Sequence, residues 1–173
     1  MAATPAPMVF VTVGTDHHPF DRLVEWVDTW CLRHPEVEVV VQHGTARAPR
    51  RALAHALLGA GEYRALLARA DAVVCAGGPG VIMEARGAGI RPIVVPRRAD
   101  LGEHVDDHQR AFAAFMAGRD AVTLVEEAPG LMAALDQLVA DRSAHRVEPE
   151  DGGAAGIERI GSLIDGLVLG GRR

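Results

Sequence analysis

Short apolar runs alternate with amphipathic segments along most of the chain. Runs rich in β-branched residues predict strands, and apolar residues at helical spacing predict the helices between them. The strands are predicted at 8–13, 37–41, 72–75, 92–95 and 121–125, and the helices at 20–32, 62–69, 81–88, 104–117 and 129–140. Residues 52–58 (ALAHALL) fit a helix by composition and a strand by position, and both readings stay open. Strands that alternate with helices predict βαβ units, and therefore an α/β fold with an open parallel sheet and helices on both faces.

The two ends of the chain differ from this central pattern. Residues 1–7 are predicted to form a disordered tail and residues 8–141 the folded domain. Residues 142–155 are polar and rich in glycine, which predicts a linker. Residues 156–173 are predicted to form an amphipathic helix, because their apolar residues make a stripe at helical spacing. The stripe consists of Ile157, Ile160, Ile164, Leu167 and Val168.

The composition excludes several catalytic classes for this chain. Its 173 residues include no lysine and no asparagine, and all 18 basic residues are arginine. A lysine-dependent phosphate loop, a Schiff-base lysine and an N-glycosylation site are therefore ruled out. Serine occurs only at Ser143 and Ser162, so a serine nucleophile between a strand and a helix is not expected.

Charge and cysteine usage bear on partners and compartment. The net charge is −5 and no long basic run is present, so nucleic-acid binding is not expected. Cys31 and Cys75 form no C-x-x-C motif, and isolated thiols suit a reducing compartment. The first residues carry no positive charge, and no uncharged apolar run approaches the ~18 residues that span a bilayer. The protein is therefore expected in the cytoplasm, where a partner would provide any contact with a membrane.

A glycine-rich turn follows the predicted strand at 72–75. Gly77, Gly78 and Gly80 open the next helix, whose unpaired N–H groups favour an anion, so the turn is interpreted as a phosphate seat. A plain tight turn is the alternative. Glu84 lies one turn into the helix, where a carboxylate can accept two hydrogen bonds from a ribose diol or act only as a surface charge.

Donors and acceptors are also dense after the predicted strand at 92–95. Such a cluster is suited to a polyhydroxylated ligand, although capping of the helix start explains the acidic residues equally well. The candidates are Arg97, Glu103, His104, Asp107 and Gln109. His104 and His108 are four residues apart, so a metal site with Asp107 or Glu103 as the third ligand is an alternative.

The loop after the first strand supplies a further set of polar groups. Gly14 and Thr15 offer a flexible turn and a hydroxyl, followed by Asp16, His17 and His18. His17 has the chemistry of a general base at neutral pH, although a solvated pair of histidines is the favoured interpretation.

Three segments carry a resemblance to a known family. Residues 9–23 (VFVTVGTDHHPFDRL), 70–84 (ADAVVCAGGPGVIME) and 92–109 (PIVVPRRADLGEHVDDHQ) resemble the C-terminal domain of glycosyltransferase family 28. The likeness spans about residues 8–141 and is strongest to small single-domain members. These are the donor-binding subunits of two-part UDP-sugar transferases in dolichol-linked oligosaccharide and bacterial exopolysaccharide synthesis. The resemblance implies a Rossmann-like sheet equivalent to the C-terminal half of a GT-B glycosyltransferase, which binds a nucleotide-sugar without a metal or other cofactor.

The resemblance also implies roles for individual residues. Gly77, Gly78 and Gly80 would face the diphosphate and Glu84 the ribose. Gln109 and Asp107 would contact the sugar hydroxyls, with Glu103 and His104 in the same donor-binding segment. Gly14 and Thr15 would line the cleft. Apart from the resemblance, Arg97 and the helix N–H groups have the charge to stabilise a departing diphosphate.

No catalytic residue is assigned, because in this family the acceptor and the group that deprotonates it come from another domain or subunit. The resemblance thus implies a membrane-associated, acceptor-binding partner, on which the helix at 156–173 would dock unless it packs against its own sheet.

The leading hypothesis is therefore the donor-binding, catalytic subunit of an inverting hexosyltransferase. Two positions differ from the family pattern, since Ala76 and Val81 stand where members usually have His and Ser or Thr. They motivate the alternative of a non-catalytic nucleotide-sugar-binding or scaffolding module. A metal-dependent hydrolase that uses His104 and His108 is a third possibility.

Overall fold

The computed structural model describes residues 5–150, and within this range six parallel strands form the centre of the fold. The strands are β1 (Met8–Thr12), β2 (Glu38–Gln42), β3 (Leu53–His55), β4 (Ala72–Cys75), β5 (Ile93–Val94) and β6 (Thr123–Leu124). The helices are α1 (Asp21–Cys31), α2 (Ala60–Arg69), α3 (Pro79–Gly87), α4 (His108–Ala117) and α5 (Ala128–Ala140), and a 3-10 turn covers Ala99–Leu101. The predicted α/β fold with an open parallel sheet is confirmed.

The strand order is β3-β2-β1-β4-β5-β6. From β1 the chain moves outward to β2 and β3, and it then crosses back to place β4 on the other side of β1. The direction of winding therefore reverses between β1 and β4. In open α/β sheets this reversal leaves a crevice at the carboxyl ends of the strands, which is where ligands bind.

Both faces of the sheet are buried, which explains the almost continuous apolar strands. Along β1, Val9 and Val11 pack with α1 and α5, while Met8 and Phe10 face the side of α2 and α3. This alternation follows from the two-residue period of a strand.

The structure shows which conformation residues 52–58 adopt, and it places the start of one helix later than the sequence predicts. Residues 52–58 contain the edge strand β3, and Leu53 is largely exposed there. The prediction that helix α4 begins at His104 is wrong, because α4 begins at His108. Gly102 adopts φ +70° before it, and the Asp106 carboxylate accepts the His108 N–H at 3.1 Å. These two features delay the helix by four residues.

Residues 142–150 turn back onto the domain, which differs from the predicted linker over that range. The His145 side chain is 1% exposed, and its Nε2 lies 2.9 Å from the Ala134 carbonyl oxygen. An isolated antiparallel β-bridge joins the backbones of Arg146 and Ile90, and the Glu150 carboxylate forms a salt bridge with Arg86. The rest of the predicted linker and the helix at 156–173 lie outside the described residues.

The described part of the N-terminal tail also contacts the domain. The Pro7 carbonyl accepts the Glu38 N–H at 2.9 Å, and the Pro5 carbonyl accepts a hydrogen bond from Arg142 at 2.6 Å. Residues 1–4 are outside the described range. Among the helices of residues 5–150, none has the length and apolar character needed to cross a membrane.

Candidate functional site

A pocket of about 560 Å³ opens where β1 and β4 end. The loop after β1 contributes Gly14, Thr15 and Asp16, and the turn before α3 contributes Gly78 and Gly80. Further side chains enter from α2, α3 and α4. The pocket therefore occupies the crevice that the strand order creates.

Two buried polar side chains form the base of the pocket. Gln42 Nε2 donates to Thr12 Oγ1 at 3.2 Å, and Gln42 Oε1 accepts the Leu58 N–H at 3.2 Å. Thr12 Oγ1 also accepts the Gly14 N–H at 3.2 Å, where Gly14 has φ +78°. Sequence analysis did not identify Thr12 and Gln42 as site residues. The sequence signal that could have identified them is a polar residue at the end of a buried, mainly apolar strand.

The three glycines of the glycine-rich turn have two different structural roles. Gly78 and Gly80 line the pocket, and a Cβ atom at either position would meet nothing within 4 Å. A Cβ at Gly77 would lie 2.9 Å from the Gln109 backbone oxygen. Gly77 is therefore required for the close approach of α4, whereas Gly78 and Gly80 leave the opening of the pocket free.

The start of helix α3 faces this opening. Gly78 is its N-cap and Pro79 its first residue, and no side chain caps it. The N–H groups of a first helical turn have no partner within the helix and carry a partial positive charge. The turn thus has the properties of an anion seat.

Glu84 and Tyr63 lie together in the wall of the pocket. The Tyr63 hydroxyl is buried and has no hydrogen-bond partner among the described residues. Burial raises its pKa, and the charge of Glu84 raises that pKa further, so the hydroxyl stays protonated. Tyr63 was missed by sequence analysis, because an aromatic residue on a helix usually belongs to the core. The pair offers one hydroxyl and one carboxylate to a ligand.

Gln109 is the second residue of α4 and lines the same pocket. It is 7% exposed, and its Oε1 has no partner among the described residues. A buried amide oxygen without a partner is unfavourable unless a ligand or water supplies a donor. Gln109 is therefore placed to accept a hydrogen bond from a ligand.

Arg97 lines the pocket but is already used by the protein. Its Nη1 donates to the carbonyls of His18 at 2.7 Å and Glu103 at 3.0 Å, and its Nη2 donates to Val13 at 2.8 Å. The side chain is fully buried, which lowers its pKa, and it lies over the Phe20 ring. As placed, these nitrogens hold the loops after β1 and β5 together, so Arg97 is a positioning residue.

The other residues predicted in the β5–α4 loop do not line the pocket. Glu103 is buried and accepts two hydrogen bonds from Arg22, at 2.8 and 2.7 Å. Asp107 accepts the Ala99 N–H at 3.2 Å. His104 Nε2 lies 3.3 Å from Asp16 Oδ2. The structure thus groups Gly14, Thr15, Gly78, Gly80, Glu84, Arg97 and Gln109 around the pocket, with Gly77 behind it and Glu103, His104 and Asp107 outside it.

The two positions that depart from the family pattern both line the pocket. Ala76 and Val81 place small apolar groups beside Gly78 and Gly80. The polar groups that this turn presents to the pocket are consequently backbone groups.

The fold and the pocket together define a Rossmann-like α/β domain with an uncapped helix start and unpartnered polar groups at the carboxyl edge of its sheet. The sequence profile of the Glycosyltransferase family 28 C-terminal domain matches residues 8–152. The chain belongs to this family, which confirms the resemblance seen in its sequence.

Individual relatives agree with this assignment. The chain is 32% identical over 116 residues to a protein of Xanthomonas oryzae pv. oryzae (strain MAFF 311018). This match covers 62% of this chain and 25% of that protein. That protein is named UDP-N-acetylglucosamine--N-acetylmuramyl-(pentapeptide) pyrophosphoryl-undecaprenol N-acetylglucosamine transferase. The chain thus spans about a quarter of the length of the curated relatives it matches.

Solved structures share the fold. MurG of Acinetobacter baumannii superposes with a TM-score of 0.57 at 20% identity, over 95% of this chain and 51% of that one. The solution structure of ALG13 gives a TM-score of 0.59 at 15% identity, over 90% of this chain and 94% of that one. The neighbours include GT-B glycosyltransferases, and this sheet is equivalent to half of such an enzyme.

Proposed function

We propose that the chain is the donor-binding subunit of an inverting glycosyltransferase that uses a UDP-sugar. The observation that carries the proposal is the meeting of three unused groups in one pocket. They are the uncapped start of α3, the Glu84 carboxylate beside the Tyr63 hydroxyl, and the unpartnered Gln109 amide oxygen. A nucleoside diphosphate sugar has a matching group for each.

The diphosphate would lie over Gly78 and Gly80. Both positions leave room for a phosphate to approach the backbone, and the α3 dipole favours its negative charge. Backbone N–H groups aimed at the leaving diphosphate stabilise the charge that develops as the bond to the sugar breaks. In this proposal they supply the stabilisation without a metal, and Arg97 contributes by holding the loops.

The ribose and the sugar would occupy opposite sides of this seat. Glu84 would accept two hydrogen bonds from the ribose diol, and the Tyr63 hydroxyl would donate to one of its oxygens. Gln109 Oε1 would accept a hydrogen bond from a hydroxyl of the transferred hexose. Each assignment uses a group that has no other partner among residues 5–150 or, for Glu84, one that faces the pocket.

The pocket offers a poor base for deprotonating an acceptor. No histidine from the described part of the chain lines it. Burial acts to raise the pKa of Asp16, but hydrogen bonds from His18 outweigh this effect and the pKa is lowered. A carboxylate with a lowered pKa is a weak base at neutral pH. We therefore assign the acceptor hydroxyl, and the group that takes its proton, to a membrane-associated partner that presents a lipid-linked acceptor in polysaccharide or glycoconjugate synthesis.

Calorimetric titration of the full chain with UDP and UDP-hexoses tests donor binding. Wild-type protein is expected to bind, and Glu84→Gln is expected to lower the affinity for UDP about tenfold, because a charge-assisted hydrogen bond contributes about 1.5 kcal/mol. Glu62→Gln is the matched control, since Glu62 is an exposed carboxylate on α2 outside the pocket. Absence of affinity for UDP and for every UDP-hexose would refute the proposal.

Ala76 and Val81 favour a second candidate, a nucleotide-sugar-binding module without catalytic activity. They remove side-chain donors from the diphosphate seat while leaving the seat open. The two candidates differ in turnover. With the partner present, a catalytic subunit transfers sugar and loses that activity in Glu84→Gln, whereas a scaffolding module binds UDP-sugar and supports no transfer.

A further inference from the structure

Six titratable side chains lie at or beside the pocket, and the proposed function gives none of them a contact with the UDP-sugar. We name them the histidine–aspartate cluster. They are Asp16, His17 and His18 from the loop after β1, and His104, Asp106 and His108 from the loop before α4. Ring centroids are 4.0 Å apart for His17 and His18, 5.9 Å for His18 and His104, and 4.7 Å for His104 and His108. The cluster therefore joins two loops that both contribute to the pocket.

Three members have the geometry of metal ligands. One ligand atom each from His104, Asp106 and His108 lies within 4.8 Å of the other two. His104 Nδ1 and Asp106 Oδ1 are 3.7 Å apart. Two ligands at about 2.0–2.1 Å from a tetrahedral zinc ion are about 3.3 Å apart. His104 would therefore have to move slightly closer to Asp106, and His108 Nδ1, which is in direct contact with Asp106 Oδ1, would have to move slightly away from it. Asp106 and His108 are exposed, which leaves a path for an ion.

The hydrogen bonds of His104 place its lone pair on Nδ1, and a metal ion there would replace the long contact with the Asp106 N–H. The Asp106 N–H points to His104 Nδ1 at 3.4 Å, so Nδ1 is the acceptor and carries the lone pair. The proton is then on Nε2, which lies 3.3 Å from Asp16 Oδ2. Metal-binding histidines commonly donate their second ring N–H to a carboxylate, which fixes the tautomer and orients the ring. His104 has this arrangement toward Asp106 and His108.

The other three members are less suited to an ion. Asp16 Oδ1 accepts the His18 N–H at 2.7 Å and contacts the His18 ring nitrogen Nδ1 at 2.6 Å, and Asp16 Oδ2 faces His104. Both carboxylate oxygens are thus already in use. Asp106 Oδ1 accepts the His108 N–H and contacts His108 Nδ1 in the same way, but no hydrogen bond within residues 5–150 reaches Asp106 Oδ2. This second oxygen selects the group in the β5–α4 loop as the site and Asp16 as its support.

We propose that His104, Asp106 and His108 bind one divalent transition-metal ion, such as Zn²⁺, and that Asp16 orients His104 from the loop after β1. Two imidazoles and one carboxylate form a ligand set that suits such ions, and water completes the coordination. The sequence alternative had Asp107 or Glu103 as the third ligand. The proposal takes Asp106 instead, because Asp106 is the carboxylate that the structure groups with the two histidines, whereas Glu103 is paired with Arg22 and Asp107 accepts the Ala99 N–H. All three ligands belong to the β5–α4 segment and none of them lines the pocket, so in this proposal the ion orders that loop and takes no part in sugar transfer. Asp16 links the site to the loop after β1 through His104.

The inference is independent of donor binding, and the experiment measures the metal alone. Untagged full-length protein, stripped with chelator, is titrated with Zn²⁺ by calorimetry, and bound zinc is counted by elemental analysis after dialysis. We expect one equivalent, and the absorption spectrum of the Co²⁺ form is expected to show nitrogen and oxygen ligands. His108→Ala removes an exposed ligand without disturbing the core and is expected to weaken Zn²⁺ binding at least a hundredfold.

Two further variants separate coordination from a general effect of histidine. Asp16→Asn is expected to weaken Zn²⁺ binding about tenfold, the usual consequence of losing a carboxylate that orients a ligand. His34→Ala is the control, because His34 also lies between two carboxylates, Glu36 and Asp136, at 3.2 and 3.1 Å. It is expected to bind Zn²⁺ like the wild type. No Zn²⁺ binding by the wild type, or equal binding by His108→Ala and His34→Ala, would overturn the proposal.

Discussion

The β4–α3 turn (residues 76–80) and the β5–α4 loop (residues 95–107) follow neighbouring strands at one edge of the sheet, but they use their polar groups differently. The turn carries no polar side chain and leaves the start of α3 uncapped. The loop is rich in polar side chains, yet Arg97, Glu103 and Asp107 all bond to the protein itself. The comparison shows that a loop is suited to bind a ligand when its polar groups have no hydrogen-bond partner within the protein. The number of polar residues in the loop is not decisive.

The largest expected effect concerns the buried cation of the β5–α4 loop. Arg97→Met is expected to lower the free energy of unfolding by about 3–5 kcal/mol, because three carbonyl oxygens lose a charged donor in the interior. Urea denaturation measures the change. The control is Arg98→Met, because Arg98 pairs with Asp100 at the surface and contributes less than about 1 kcal/mol. Equal destabilisation by the two variants would contradict the structural role of Arg97.

The next prediction contrasts Glu103 of the β5–α4 loop with Glu84, which lies in the helix that follows the β4–α3 turn. Glu103→Gln is expected to lower the free energy of unfolding by about 2–3 kcal/mol, because it breaks a buried two-bond contact with Arg22. Glu84→Gln is expected to leave that quantity within ~0.5 kcal/mol of the wild type while weakening UDP binding. Denaturation and calorimetry on both variants test the contrast, and the reverse pattern would contradict it.

A smaller effect separates the glycines of the β4–α3 turn. Gly77→Ala is expected to cost about 1–3 kcal/mol of stability, because the new methyl group meets the Gln109 backbone and must displace α4. Gly78→Ala meets no atom within 4 Å and is expected to keep the stability of the wild type. The new methyl at Gly78 stands in the pocket, so this variant loses UDP affinity while it stays folded. If Gly77→Ala were as stable as Gly78→Ala, the close approach of α4 would be refuted.

The smallest effect is expected at Tyr63. Tyr63→Phe removes a buried hydroxyl that has no partner among the described residues, so the free energy of unfolding should stay equal or rise by up to about 1 kcal/mol. Affinity for UDP should fall severalfold, because the ribose loses a donor. Thermal unfolding and calorimetry measure the two effects. A loss of stability would show that the hydroxyl is already bonded within the protein.

The sheet could be predicted from the sequence because its strands are buried on both faces. The runs 8–11 and 39–41 are apolar at every position, which is typical of parallel strands between two helical layers. The glycine-rich turn and Glu84 were also found, since backbone access and a helix start are encoded within a few neighbouring residues.

The use of each polar side chain could not be predicted in the same way. Arg97 binds the His18 carbonyl from 79 positions earlier in the chain, and Glu103 binds Arg22 from 81 positions earlier. Such partners depend on how strands and loops meet in three dimensions. Tyr63 gave no local signal, because whether its hydroxyl meets the core or a pocket depends on the position of α2 over the sheet.

The central claim is that the uncapped start of α3 binds the diphosphate of a UDP-sugar. A titration of ¹⁵N-labelled protein with UDP, followed through its amide resonances, tests this most directly. The account predicts saturable shifts that are largest for the amides of Gly78, Gly80 and Val81 and small for Ala99 and Leu101 in the β5–α4 loop. Unchanged spectra, or shifts confined to the β5–α4 loop, would contradict it.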